Sequence, residues 1–376
     1  MKRQNHQISL WILIAALSAC AEPGANQAAK QATKVGNPPL PQLSLEGIYA
    51  VGLVAQNSPP STIVGIQASG ETVVLDDKSF IVNQLKGISG GFLMDARRIG
   101  FDERKIFFTR HDGKVLELPS EMLSSERDPF VNFVGQSASQ DLYFRDGRIL
   151  KFDTGTWTNL NLNIENAVIE EVSDHHALIK GKGLIRQVFD LNSKLRFNVS
   201  NPIWLVSLNE AQALLGPTMI VNTDSGREMP VPTRLVHRAV RAKSGIVAIT
   251  DQCEGEEVQL MSPTGFLCLI RPDLTTELLL NEETSNKPED LVASGDYIMI
   301  RELKKLYVIK PGLKSKVSIL DNLNVFEAHL SEGFVYYRAE TLDGQLLTQV
   351  YDIEKTRSYE VRDWSSRMIQ IQAIRK

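Results

Sequence analysis

From Leu45 to the end, the chain runs in five- to seven-residue stretches of β-branched and aromatic residues, broken by Gly, Asp, Asn and Ser. It holds no twelve-residue stretch with apolar positions at i, i+3, i+4 and i+7, so the pattern predicts strands rather than helices. The strands recur in fours. One clear unit is Phe130–Val134, Asp141–Phe144, Ile149–Asp153 and Trp157–Leu160; another begins at Asn324 and closes at Val361. First strands fall near residues 81, 130, 167, 202, 234, 289 and 324, with a further candidate at 368, a mean spacing of about 41 residues. Four strands in about 40–45 residues is the arithmetic of a β-propeller blade, whereas two β-sandwiches need no such even spacing.

The expected fold is therefore all-β: a propeller of eight four-stranded blades, or seven if the short unit 202–232 and the irregular stretch 272–288 are not separate blades. Ser69-Gly70, Asp112-Gly113, Thr154-Gly155, Ser225-Gly226, Thr264-Gly265 and Pro311-Gly312 are read as the turns between third and fourth strands, because Gly supplies the positive φ of tight hairpins. The first unit has only three strands, near 47–54, 62–69 and 72–77, while a surplus strand follows the last unit. The C-terminal strand is expected to complete the first blade and close the ring, leaving no open radial edge.

Before Leu45 the pattern changes. Lys2 and Arg3 precede an apolar run from Ile8 to Ala19, too short for the roughly 20 residues a spanning helix needs. The run ends in Leu17-Ser18-Ala19-Cys20, which resembles the lipobox of bacterial lipoproteins. That resemblance implies removal of 1–19 as a signal peptide and acylation of Cys20 with diacylglycerol and palmitate-type chains, anchoring the protein to a bilayer. Ala21, where enteric lipoproteins retained at the inner membrane carry aspartate, implies the outer membrane, facing the periplasm. Residues 20–44, rich in Ala, Gln, Pro and Gly, read as lipidated cysteine and flexible tether, and 45–376 as the propeller. The segment Lys151-Phe-Asp-Thr-Gly-Thr-Trp157 is similar to the strand-turn-strand core of PQQ-like and WD-type propeller repeats, without singling out one family. Such a turn transfers fold, not function.

Composition adds mostly exclusions. Among 376 residues, 41 Lys+Arg stand against 45 Asp+Glu, which does not suit a nucleic-acid binder. The pair His175-His176 beside Asp174 reads as a solvated loop, since zinc needs three or four convergent ligands. Gly87-Ile-Ser-Gly-Gly91 reads as a blade turn rather than a phosphate cradle. The acids Glu254, Glu256, Glu257, Glu282 and Glu283 read as loop residues. No catalytic residue, metal ligand or cofactor is assigned. Arg97, Arg98, Asp102, Glu103 and Arg104 join the second and third strands of a blade, on the rim where propellers bind partners, and form a candidate contact loop. Cys253 and Cys268 could bridge in an oxidising compartment, but a strand expected between them favours two separate thiols. The expected function is a non-catalytic scaffold for an envelope protein; the alternative is a glycan- or peptide-binding or cleaving propeller enzyme with its site at the channel mouth.

Overall fold

The computed structural model describes residues 39–376 except 56–60, 77, 125–127, 163–166, 183–184, 200–201, 258–261, 311, 365–366 and 375–376. Cys20 and the signal and tether segments before residue 39 lie outside the described residues. Contacts divide the chain into Met1–Leu40 and Pro41–Lys376, and the architecture is that of the second unit.

Strands β1 (Ala50–Val54), β2 (Thr62–Ile66) and β3 (Thr72–Asp76) form the first sheet. The next meander comprises β4 (Phe80–Ile88), β5 (Gly91–Arg98), β6 (Arg104–Arg110) and β7 (Val115–Glu117). It is followed by β8 (Phe133–Ser137), β9 (Leu142–Phe144), β10 (Arg148–Leu150) and β11 (Trp157–Asn159), then β12 (Val168–Asp174), β13 (His176–Lys180), β14 (Arg186–Asp190) and β15 (Arg196–Val199). A fifth meander holds β16 (Leu205–Ser207), β17 (Gln212–Leu215), β18 (Met219–Asn222) and β19 (Arg227–Pro230). In the sixth, β20 (Val236–Ala242) and β21 (Gly245–Thr250) are separated from β24 (Thr264–Ile270) and β25 (Thr276–Leu278) by a hairpin, β22 (Gln252–Cys253) and β23 (Glu256–Glu257). The short β26 (Thr284–Ser285) pairs with β24. The last meanders are β27 (Asp290–Ser294), β28 (Tyr297–Glu302), β29 (Lys305–Ile309) and β30 (Val317–Asp321), then β31 (Asn324–Ser331), β32 (Phe334–Glu340), β33 (Leu346–Asp352) and β34 (Arg357–Glu360). The terminal β35 (Met368–Ala373) pairs antiparallel with β1, Gly52 opposite Ile371, and becomes the fourth strand of the first sheet.

There are seven principal sheets, because the meanders beginning at β8 and β12 share one eight-stranded sheet. Their first strands pair in parallel, Val172 against Gly135 and Asp174 against Ser137. Gly135 makes this approach feasible: its φ is +149° and a Cβ there would strike the Val172 carbonyl.

Elsewhere the first strands lie side by side without a full ladder, and side chains bridge them. Gln370 clasps Leu85 through both amide atoms, accepting from its N–H and donating to its C=O, each at 2.7 Å. Gln136 does the same to Ser89 at 2.7 and 3.0 Å. Glu171 accepts the Leu205 N–H at 2.7 Å, and Glu327 accepts that of Ile371 at 2.9 Å. Both glutamates follow a register shift in their strands, and a bulge re-aims the next side chain. The remaining seams are β16 against β20, the Lys243 N–H on the Gly295 carbonyl at 2.9 Å, and the Glu332 N–H on Ser294 Oγ at 3.1 Å. The ring of first strands thus returns to β35, a closed β-propeller.

Apolar clusters lie between neighbouring sheets. Leu93, Phe108 and Leu118 of one meander pack on Leu142, Phe144 and Phe152 of the next. At the closure Ala50, Val64 and Ile371 meet Tyr336, Val350 and Val361 of the last meander. Aspartates at third-strand ends shape the outer turns: Asp190 Oδ1 accepts the N–H groups of Asn192 and Ser193 at 2.7 and 2.9 Å, and Asp352 Oδ1 accepts that of Lys355 at 3.0 Å. A side chain that imitates a backbone turn is why aspartate suits the end of a third strand.

The sixth meander departs from the sequence reading. Thr264-Gly265 is not a turn; it opens the third strand, β24, and the turn lies at Arg271–Thr275, shaped by Asp273. The inserted hairpin β22–β23 shifted the phase of that reading.

Candidate functional site

Antiparallel meanders with parallel first strands sort every connection to one of two ends. Hairpins joining first to second and third to fourth strands form one face, the turn rim. Connections joining second to third strands, and one meander to the next, form the other, the loop rim.

The loop rim carries most of the exposed large apolar side chains. Ile99 and Phe101 follow β5, Ile185 follows β13, Ile203 precedes β16, Leu303 follows β28 and Leu342 follows β32. Their exposure is 42, 38, 58, 73, 72 and 91%. Phe326 and Ile369 stand at the adjoining ends of two first strands, half-exposed. Among the described residues, the turn rim shows Leu195 and Leu313 in this class, with Val73 and Val74 on β3 just beyond its turn. Single exposed aliphatics are ordinary; their concentration on one end of the ring is not.

Within this rim, the loop Arg97 to Arg104 divides into scaffold and surface. Asp95, fully buried on β5, accepts from Arg104 Nε at 2.6 Å and from its second guanidinium nitrogen at 2.5 Å. Arg104 is therefore committed to holding the loop's base, and this hydrogen-bonded pairing raises its pKa. Glu103 is tied to Lys105 at 3.0 Å. Arg98 lies over the Phe101 ring at 5.2 Å, a contact that keeps the ring upright at the rim. Arg97, Asp102, Ile99 and Phe101 face solvent.

The hairpin β22–β23 stands on the same rim and is covalently fastened. Cys253 and Cys268 form a disulfide with Cα atoms 5.9 Å apart. The blade strand expected between them, which favoured two separate thiols, is not there: Cys268 lies on the third strand, β24, and the hairpin folds back against it. Beside it, His237 Nε2 and Asp251 Oδ1 are in short contact.

The His175-His176 pair is also placed differently from the expected solvated loop. Asp174 takes φ +39° in the two-residue turn Asp174-His175, so His176 already lies on β13, opposite Ser173 and fully buried. Its Nδ1 is 2.8 Å from Ser207 Oγ and its Nε2 3.3 Å from Thr223 Oγ1, both in the next meander. Ser207 Oγ donates to the Ser173 carbonyl and Thr223 Oγ1 to Asp190 Oδ2 at 3.3 Å, so the two hydroxyls tie the imidazole to the neighbouring backbone and carboxylate. Burial pushes the imidazole pKa down to about 4. For neighbouring Asp190 burial acts upward, but the Ser193 and Asn192 N–H groups hold it below its usual value. His176 is a neutral staple between sheets. Glu171 and Glu327 are raised, chiefly by burial, the bonds from Leu205 and Ile371 opposing; both are likewise spent on seams.

Gly87-Ile-Ser-Gly-Gly91 is the β4–β5 turn, with Gly90 at φ +74°. Among the described residues no group of three or more His, Cys, Asp or Glu could hold a metal ion, and no helix is long and apolar enough to cross a membrane. Sequence reading found the Arg97–Arg104 loop but missed Ile185, Ile203, Leu303 and Leu342. An isolated large aliphatic in an otherwise polar connection was the available signal.

With this geometry in view, the class is that of closed β-propellers. No protein family and no curated protein matches the sequence. Solved structures with a similar fold include a prolyl endopeptidase (TM-score 0.46, 9% identity, 75% of this chain and 50% of that one). Others are the β-propeller domain of the Trilobed protease from Pyrococcus furiosus (0.42, 14%, 76% and 99%) and BamB from Moraxella catarrhalis (0.36, 13%, 72% and 98%). The chain spans about half the length of the prolyl endopeptidase.

Proposed function

We propose that the chain is an eight-bladed envelope lipoprotein, the joined eight-stranded sheet counting as two blades, that acts as a non-catalytic protein-binding scaffold. In this reading acylated Cys20 anchors it to the outer membrane on the periplasmic side, and a partner protein sits on the loop rim. The observation that carries the proposal is the crowding of Ile99, Phe101, Ile185, Ile203, Leu303 and Leu342 onto that one face. Large side chains of this kind are worth about 1.5–3 kcal/mol each when fully buried, so a partner covering a few of them has the material for a stable contact. Of the buried groups with displaced pKa values, His176, Glu171 and Glu327 serve the seams between sheets.

The test combines Ile99→Asp, Phe101→Asp and Leu303→Asp. These surface changes should leave folding within about 0.5 kcal/mol per site and cut recovery of the crosslinked envelope partner at least tenfold; unchanged recovery contradicts the proposal. For the anchor, Cys20→Ala should abolish palmitate labelling, and persistent labelling removes the lipid from the account.

A further inference from the structure

The turn rim holds a cleft of about 920 Å³ that the scaffold reading does not use. One wall is the segment Gln42–Gly47, ahead of β1; the others are the turns at Gly90, His111–Asp112 and Gln140. The sequence reading assigned Gln42 and Ser44 to a flexible tether, yet this segment is docked. The Leu43 N–H donates to the Gly113 carbonyl at 2.9 Å, Gln42 bridges to Lys114, and Leu43, Leu45 and Ile48 are buried. Gly113 is required here, since a Cβ would strike the Leu43 carbonyl.

The walls are preorganised. Gln140, at φ +63°, donates through Nε2 to Ser89 Oγ at 3.1 Å, and its N–H donates to the Ser137 carbonyl at 2.8 Å. The His111 ring lies flat on Phe152, centroids 5.6 Å apart and planes 8° from parallel. His111 itself is exposed.

The chemistry of the lining is selective. Two amides, a carboxylate, a hydroxyl and a flat ring come from Gln42, Gln140, Glu46, Ser44 and His111. Among the described residues no Lys or Arg lines the cleft, which disfavours phosphate and other anions, and the Asp112 carboxylate is taken by Arg110 at 3.0 Å and the Lys114 N–H at 3.1 Å. Planar amides and carboxylates pair with groups that both donate and accept, as sugar hydroxyls do. An exposed planar ring offers a platform for the apolar side of a pyranose. The volume suits a small oligosaccharide rather than an ion.

From these features we infer that the cleft is a binding site for a neutral oligosaccharide, on the opposite face from the proposed protein contact. The site is independent of the scaffold reading, and its test keeps the two apart. Full-length protein is titrated calorimetrically with maltotriose, cellotriose, N,N′-diacetylchitobiose and spermidine. At least one neutral sugar should bind, His111→Ala and Gln140→Ala should each weaken it about tenfold or more, and Phe101→Asp should leave it unchanged. Glu46→Gln, on an exposed side chain, provides a second variant with no burden on folding and should weaken binding severalfold. Absence of sugar binding at millimolar concentration overturns the inference. So does sugar binding indifferent to all three cleft variants, or binding of spermidine in preference to every sugar.

Discussion

At the scale of single residues, buried polar groups do the work of alignment. His176 is the clearest case, since its low pKa couples folding to pH. In the unfolded chain an imidazole titrates near 6.5, whereas the folded ring titrates at about 4. Between these values the unfolded state binds more protons, so stability is complete above about pH 6.5 and falls as pH drops toward 4, by up to about 3 kcal/mol. Urea unfolding at pH 7.5 and 5 should show about 2 kcal/mol of that loss in the native chain and a flatter response in His176→Gln. Arg104 was legible as a rim residue but not as the partner of Asp95, because a sequence does not reveal which of several loop arginines turns inward. Arg104→Ala should cost about 2 kcal/mol, less than a fully buried pair because the arginine is half-exposed. Adding Asp95→Asn should recover part of it.

Among elements, strand periodicity was readable almost everywhere that a meander keeps its four strands. The expected first strands near 81, 167, 234, 289, 324 and 368 lie within about two residues of those observed. Reading failed at the sixth meander, where the inserted hairpin β22–β23 breaks the count and moved Cys268 onto the wrong strand. The cleft on the turn rim was invisible for another reason: Gln42, His111 and Gln140 are far apart in the chain, and only the docking of Leu43 on Gly113 unites them. The disulfide closes a loop with a sequence separation of 15, for which chain entropy gives about 3 kcal/mol. The double variant Cys253→Ser, Cys268→Ala should lose 2–3 kcal/mol, on the order of that value, in denaturant unfolding under non-reducing conditions. A loss also seen in native protein on adding reductant would assign the effect to the bond itself.

For the whole molecule, closure is the unifying feature. The terminal β35 is hydrogen-bonded to β1, clasped to β4 through Gln370 and Gln372, and held to β31 through Glu327. One strand therefore secures three meanders, and a chain ending before Met368 should unfold without a single cooperative transition, as followed by circular dichroism and hydrogen exchange. Closure also fixes which loops share a face, and so gives the loop rim its collection of exposed apolar side chains. The most direct measurement places a photoreactive phenylalanine at Phe101 or Ile203 on the loop rim, and at Leu313 or Leu195 on the turn rim, in the full-length protein in cells. The scaffold account predicts crosslinks to one and the same envelope protein from both loop-rim positions and none to it from the turn rim. Crosslinking to that protein from the turn rim alone, or no protein crosslink from either loop-rim position, would contradict it.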